Sequence, residues 1–501
     1  MMNATPLSEY CSMPELLTLL DASLIVLLFH AVLAPATAIH ATLYKRDSRA
    51  AFGWIALCML LPVAGPLLYS VAGINRIQRR ADQLKADRLR IGFERGRAQH
   101  AAEDPPADMP DDLREFARIG QRLSRYALCN ANQIIVLHNG NQAYPEMLGA
   151  IESAQQRIFL TSYILDNGTV GQQFVDALAN AANRGVDVRV MVDGLGEWYS
   201  WPLASRRLRK SSVTVASFLP PRLLPPQLSI NLRNHHKILV IDDDLGFTGG
   251  MNIGDRHVIE AGARRAQAVD VHFRLTGPIV HQLAVEFLRL ADLCKVSKRF
   301  LEPFPSDPEY CPEPATGEQV IICRTFTDGP GEDLDQLTML LVATIAQARE
   351  SVYIMTPYFL PPREIISALQ SASLRGVDIH LVLPSENNLP FVHWATRNML
   401  WEVLFQGVKV HYQPAPFVHS KLFVVDHCYS LIGSTNWDPR SLRLNFELQV
   451  EVFDHAFAAC LVDHFKQVIA KSQAVTLEEL DQRNLLARLR DSFFWLFSPY
   501  L

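Results

Sequence analysis

Residues 234–252 read NHHKILVIDDDLGFTGGMN, and residues 418–436 read VHSKLFVVDHCYSLIGSTN. Each stretch holds His-x-Lys followed, after four residues, by Asp: His235, Lys237 and Asp242, then His419, Lys421 and Asp426. At matching distances come Gly249, Gly250 and Asn252 in the first copy and Gly433, Ser434 and Asn436 in the second. A six-position match repeated within one chain predicts a single active site assembled from two halves.

The repeat extends outward. Residues 154–192 and 348–383 each read as an apolar strand, a helix (FVDALANAANRG; EIISALQSASLRG) and a second strand (VDVRVMV; VDIHLVL). Gly185 and Gly376 stand where helix C-caps are expected. Strands alternating with helices of this length imply α/β layers. The motif follows in each half on a strand (KILVID; KLFVVD), where His and Lys at i and i+2 share a face and reach one ligand.

Two imidazoles, two lysines and two asparagines converging on a point suit a tetrahedral anion. Lysines neutralise non-bridging oxygens, and Asn252, Asn436, Ser434 and Gly250 add hydrogen bonds. A neutral His can attack phosphorus, and a protonated one can donate to a leaving alkoxide. Each needs an acidic partner to fix its tautomer, and Asp270 (AVDVHF) and Glu447 (LNFELQV) are the candidates. Asp242 and Asp426, at strand ends, read as structural members of the motif. His236 points to the opposite face and reads as structural or as a phosphate contact. A metal is not expected, because a cation site would not carry Lys two residues from each ligand.

Composition bounds the rest. A chain of 501 residues has room for two or three domains. A net charge of −5 argues against a nucleic-acid-binding polycation. Its eight cysteines are scattered without a Cys-x-x-Cys pair, so neither a structural zinc site nor a disulfide framework is expected.

Residues 1–99 differ from the body and read as a membrane anchor. Helices are expected at about 16–39 and 51–73, the second without a charge, joined by KRDSR at 45–49. Basic residues flank the second segment on both sides, at 45–49 and at 76–90. The longer cluster places the body in the cytoplasm, and a non-spanning hairpin satisfies both clusters. A Pro- and Asp-rich linker (100–114) leads to a first half (115–310) and a second half (311–501). The second half ends in an amphipathic tail, LLARLRDSFFWLFSPYL (485–501), readable as an interfacial or a docked helix. Residues 201–233 join Trp201, a basic run and FLPPRLLPP, a composition that an anionic lipid surface attracts as well as an ordinary loop.

With these residues in view the chain resembles the phospholipase D superfamily, whose hallmark is the duplicated His-x-Lys-x4-Asp motif. TPYFLPP (356–362), RGVDIHLVLP (375–384), GSTNWDPRSLRLNFE (433–447), SPYL (498–501) and LLPVAGPLLY (60–69) resemble bacterial cardiolipin synthases. One departure is Ala268, which stands where many relatives carry Trp. The resemblance implies two pseudo-symmetric α/β/α sandwich halves behind a two-helix transmembrane hairpin in the bacterial inner membrane. It implies transfer of a phosphatidyl group between two phosphatidylglycerols, without metal or cofactor, through a phosphohistidine on His235 with His419 as acid. A phospholipase D or transphosphatidylase that takes another donor, such as phosphatidylethanolamine, is the alternative. Nucleic acid is not an expected partner.

Overall fold

The computed structural model describes residues 13–45, 47–73, 105–106, 109–221, 232–262, 266–293, 298–301, 320–329 and 335–498. The basic cluster at 76–90, much of the expected linker, the Pro-rich run at 222–231 and residues 499–501 lie outside them. The chain divides into two compact units, Met1–Arg80 and Ala81–Leu501.

In the first unit, α1 (Met13–Tyr44) and α2 (Ser48–Leu60) form a hairpin. Asp47 caps α2, its Oδ1 accepting from the Ala50 amide at 2.7 Å. The expected second helix, 51–73, is broken. Leu61 precedes Pro62 and is extended (φ −107°, ψ 102°), and Val63 has φ +58°. A residue before proline is pushed out of the helical region, so the helix ends there. A short helix, Ala64–Leu68, and a π turn, Tyr69–Gly73, follow. With 13 residues, α2 is about 20 Å long, short of the ~30 Å hydrocarbon core. Among the described residues no helix is long and apolar enough to cross a membrane. Ala41, Cys58 and Tyr69 close the hairpin, and the Tyr69 hydroxyl lies 2.8 Å from His40 Nδ1. Leu27, Val32, Leu43, Phe52 and Leu60 stay exposed.

The second unit is built on one sheet. In the first half its strands are β1 (Cys129–His138), β2 (Arg157–Ser162), β3 (Asp187–Asp193), β4 (Thr214–Phe218), β5 (Ile238–Ile241), β6 (Leu245–Gly249) and β8 (Val271–Thr276). The second half supplies β9 (Ile321–Asp328), β10 (Ser351–Met355), β11 (Asp378–Pro384), β12 (Lys409–Gln413), β14 (Leu422–Val425), β15 (Tyr429–Gly433), β16 (Glu447–Phe453) and β17 (Gln473–Val475). The order from the middle outward is β1-β8-β6-β5-β2-β3-β4 on one side and β9-β16-β15-β14-β10-β11-β12-β17 on the other. Strand for strand, the first seven of each match. The halves are therefore not two separate sandwiches: β1 and β9 pair antiparallel at the seam and make one 15-stranded sheet.

Helices pack on this sheet: α3 (Asp111–Gln121), α4 (Asn139–Ser153), α5 (Thr169–Asn183), α6 (Ile279–Leu293), α7 (Gln336–Gln347), α8 (Arg363–Leu374), α9 (Pro390–Leu404) and α10 (His455–Ile469), while α11 (Leu485–Trp495) packs on α9. The parallel β2-α5-β3 and β10-α8-β11 crossovers end alike. Gly185 (φ +96°) and Gly376 (φ +91°) follow α5 and α8. The next amides, of Val186 and Val377, return to Ala181 O and Ala372 O at 3.2 and 3.1 Å. Only glycine takes that left-handed position without strain, and the closure satisfies the last carbonyls.

Each half has its own apolar core. One element crosses over: Leu113, Phe116 and Ala117 of α3, near the start of the expected first half, pack into the second half's core beside Leu337 and Leu340. At the seam, Arg324 Nε donates to Glu451 Oε2 at 2.5 Å and the Tyr429 hydroxyl donates to Glu451 Oε1 at 3.0 Å, all buried.

Candidate active site

Both motifs end in a three-residue hairpin loop. Asp242 and Asp243 (φ +51°, +65°) turn β5 into β6, and Asp426 and His427 (φ +49°, +52°) turn β14 into β15. Asp tolerates positive φ better than most residues. The two aspartates then do the same work. Asp242 accepts from the amides of Gln155, Gln156 and Arg157 at 2.7–2.8 Å. Asp426 accepts from those of Arg349, Glu350 and Ser351 at 2.8–2.9 Å. These carboxylates cap the starts of β2 and β10, so both are structural. Asp242→Ala or Asp426→Ala leaves three amides without that acceptor. Each is expected to cost about 2–4 kcal/mol, read as a lowered thermal midpoint of the purified chain.

The strands begin at Ile238 and Leu422, one residue after each Lys, so the His and Lys occupy the lead-in to a strand rather than the strand itself. That lead-in is held by the opposite half. The His235 amide donates to Phe446 O at 2.9 Å, next to Glu447. The His419 amide donates to Val269 O at 2.8 Å, next to Asp270, where β13 (Phe417–Val418) pairs with β7 (Ala268–Val269). Ala268, at the position of the departure, is Phe417's partner in that ladder. The acid pairing is consequently crossed. His235 Nδ1 lies 2.9 Å from Glu447 Oε1, and His419 Nδ1 lies 2.8 Å from Asp270 Oδ2.

Two of the four expected phosphate ligands serve these acids instead. The Ser434 hydroxyl donates to Glu447 Oε2 at 2.5 Å and accepts from the Leu448 amide at 3.1 Å. At the matching position, a Cβ on Gly250 would meet Asp270 Oδ1 at 2.3 Å, so only glycine admits the Asp270 carboxylate. The Gly250 amide donates to Val271 O at 3.3 Å. Asn252 accepts from the Ile164 amide at 3.2 Å through Oδ1, and Asn436 donates to Ser441 Oγ at 3.1 Å. Both asparagines are buried.

Lys237 Nζ donates to His235 O at 2.8 Å, and Lys421 Nζ donates to His419 O while lying 3.0 Å from His419 Nδ1. Burial lowers both ammonium groups, Lys237 to about 8 and Lys421 to about 7. Burial also lowers His235, partly offset by Glu447. It lowers His419 well below the usual range, helped by the positive charge of Lys421 and Arg256. Burial pushes the Glu447 carboxyl up, but His235 and Lys237 outweigh it and hold Glu447 below the ordinary value. Both imidazoles are thus neutral near pH 7, and two lysines facing them are poised to be stabilised by an incoming anion.

Three neighbours are not signalled by spacing. Tyr163 packs on His235 at 4.6 Å between ring centroids. His257 is fully buried 5.7 Å from the His419 ring, and neither ring nitrogen has a hydrogen-bond partner among the described residues. Arg256 lies over the Phe417 ring. His236 is buried, its Nδ1 4.0 Å from Glu286 Oε1. Among the described residues, His257, Asp270 and His419 form one group whose ligand atoms lie within 4.8 Å of one another. A cation there would face Lys421 Nζ, so the donor set suits an anion better than a metal.

Comparison with known proteins adds to this geometry. The family profile "Cardiolipin synthase, PLD-like domain" matches residues 147–290 and 341–469. The major cardiolipin synthase ClsA of Bacillus subtilis is 31% identical over 91% of this chain and 95% of its own length. A cardiolipin synthase of Geobacillus kaustophilus is 31% identical over 92% of this chain and 90% of its own. Among solved structures, the phosphatidylserine synthase of Haemophilus influenzae superposes with a TM-score of 0.59 at 16% identity. It covers 77% of this chain and 100% of its own, a likeness of fold. Taken with the twin motif and its matched half-sheets, these matches mean that the chain belongs to the cardiolipin synthase family of phospholipase D-like enzymes.

Proposed function

We propose that the chain transfers a phosphatidyl group from one phosphatidylglycerol to another, giving cardiolipin and glycerol. The crossed His–acid pairs carry this reading: each half brings an imidazole and a lysine, and each needs the other half's carboxylate. With Nδ1 of His235 turned to Glu447, Nε2 is the nitrogen that attacks phosphorus. The P–O bond to glycerol breaks as His419 gives its proton to the departing oxygen. The free hydroxyl of a second phosphatidylglycerol then gives its proton to His419 and attacks, breaking the P–N bond. The substrate's own anionic charge, placed between the lysines, raises the otherwise low proton affinity of His419. Lys237 and Lys421 neutralise the phosphoryl oxygens, with Asn252 and Asn436 lining their cradle. Side chains alone supply this chemistry. Purified chain given labelled phosphatidylglycerol as sole lipid is expected to yield cardiolipin and glycerol in equal amounts; glycerol with phosphatidic acid instead would make it a hydrolase.

The lysines give a pH signature. Each is cationic below its value and neutral above it, so phosphate binding by the free enzyme weakens as pH rises through about 7 to 8. The kcat/KM profile is expected to fall along that limb. In the kcat profile the limb moves to higher pH, because bound phosphate holds the lysines protonated.

The same reading places the N-terminal hairpin in the inner membrane of a bacterium, with the catalytic body on the cytoplasmic side. The exposed apolar residues of α1 and α2 support embedding. The break at Pro62 and the basic residues on both flanks of the second segment support a hairpin that returns to its own side. Cysteines placed at Ser48 and at Ser70 should both react with a membrane-impermeant maleimide only after the cytoplasmic face is opened.

A further inference from the structure

Helix α11 is built inside out. Its single acid, Asp491, is fully buried against α9, accepting from Arg483 Nη1 at 2.5 Å and Arg490 Nη2 at 2.7 Å, with Arg397 Nε at 3.8 Å. Ser492 on the same side donates to Asn398 of α9 at 2.9 Å, and Phe494 packs on Trp394 at 5.0 Å. The opposite face carries Leu485, Leu486, Leu489, Phe493, Leu496 and Phe497, each between 45% and 78% exposed. Trp401 and Phe405, on and just after α9, are exposed as well. A water-facing helix turns its charges out and its apolar stripe in. Here the ionic cluster is inside and the apolar stripe outside, which costs free energy unless the outer medium is itself apolar.

Charge narrows the occupant. Arg488 is exposed beside the stripe, and the outer face of α11 has no carboxylate. Two copies meeting through this face would set Arg488 against the same cationic surface. An anionic bilayer takes both the apolar stripe and the arginine. The face also connects to the site. Phe494 lies 6.5 Å from Phe391 in the first turn of α9. In the segment just before α9, Asn387 donates to Pro357 O and Asn388 accepts from the Tyr358 hydroxyl, both at 2.8 Å. Tyr358 leads through Phe417 to His419, at ring separations of 6.4 and 5.9 Å.

We infer that the outer face of α11, extended by Trp401 and Phe405, docks the catalytic body on an anionic lipid surface and turns the site toward its substrate. The identity of the medium rests on the lipid-transfer reading above. The test uses the full chain reconstituted in phosphatidylglycerol vesicles, with a fluorophore on Leu489→Cys or, as a control, on Glu478→Cys at an exposed position of the neighbouring turn. The probe at 489 is expected to be quenched by brominated acyl chains and shielded from aqueous iodide by about threefold or more relative to 478. Adding Leu486→Glu and Phe493→Glu should abolish that shielding and lower turnover in vesicles by about tenfold, with turnover of a water-soluble short-chain phosphatidylglycerol unchanged. Equal iodide access at 489 and 478 would overturn the inference. So would equal loss on both substrates, or conversion of a detergent-solubilised dimer to monomer with vesicle turnover intact. Shielding at 489 in a chain that forms no cardiolipin would keep the docking face and remove the lipid-transfer reading.

Discussion

His235→Ala and His419→Ala are each expected to lower cardiolipin formation by at least about 10⁴-fold, the scale on which loss of a nucleophile or its proton partner acts in an enzyme that uses them as a unit. Both imidazoles are held by an acid and by a main-chain bond to the other half, so either loss empties half of one site and leaves the fold in place. The two variants separate once the leaving group needs no proton. With a phosphatidyl p-nitrophenol donor, His419→Ala should release one burst equivalent of nitrophenol and accumulate phosphoenzyme on His235, while His235→Ala should show no burst. A burst in His235→Ala with label on His419 would reverse the assignment of nucleophile and acid. Comparable slow turnover in both variants would dismiss a shared site.

Glu447→Gln and Asp270→Asn are expected to have the next largest effect, a loss of about a thousandfold in kcat with KM little changed. Each amide keeps the shape of the acid and removes its charge, so the imidazole loses both its preferred tautomer and the stabilisation of its cation. The readout that separates this from a structural defect is the Ser434 contact. Ser434→Ala loosens Glu447 without removing its charge and is expected to lower kcat by about tenfold with KM little changed, at a cost of about 1–2 kcal/mol from the Leu448 amide it also leaves without an acceptor, a bond that Glu447→Gln keeps. Crossing the pairs makes a further demand. Loss of Glu447 should suppress the chemistry of His235, seen as a slower burst. Loss of Asp270 should suppress that of His419, seen as a slower release of glycerol from the natural donor.

Much of this was legible in the chain because it is local. His, Lys, Asp and Asn at fixed spacing, repeated, announce an anion site, and glycines after amphipathic helices announce their ends. The continuous sheet was not legible, since pairing of β1 with β9 joins residues about two hundred positions apart. Nor was the crossing of the acids, which is set by the pairing of β7 with β13 and of Arg233 and His235 with Phe446. Gly250 and Ser434 read as phosphate ligands because hydroxyls and glycines so often bind anions; their actual work depends on where an acid from a neighbouring strand points. The break in the second N-terminal segment was present as Leu61 before Pro62, but counting apolar residues passes over backbone geometry. His257 and Tyr163 stand alone in sequence, and a lone buried aromatic carries no local signal.

The crossed pairing has a consequence for the chain while it is being made. A ribosome delivers His235 long before Glu447, and until the late strand arrives the first imidazole has no acid to orient it. A nascent or truncated first half is therefore expected to leave phosphodiesters uncut. Completion of the polypeptide acts as its own safety catch, and the enzyme is armed only when its last quarter folds back onto its second.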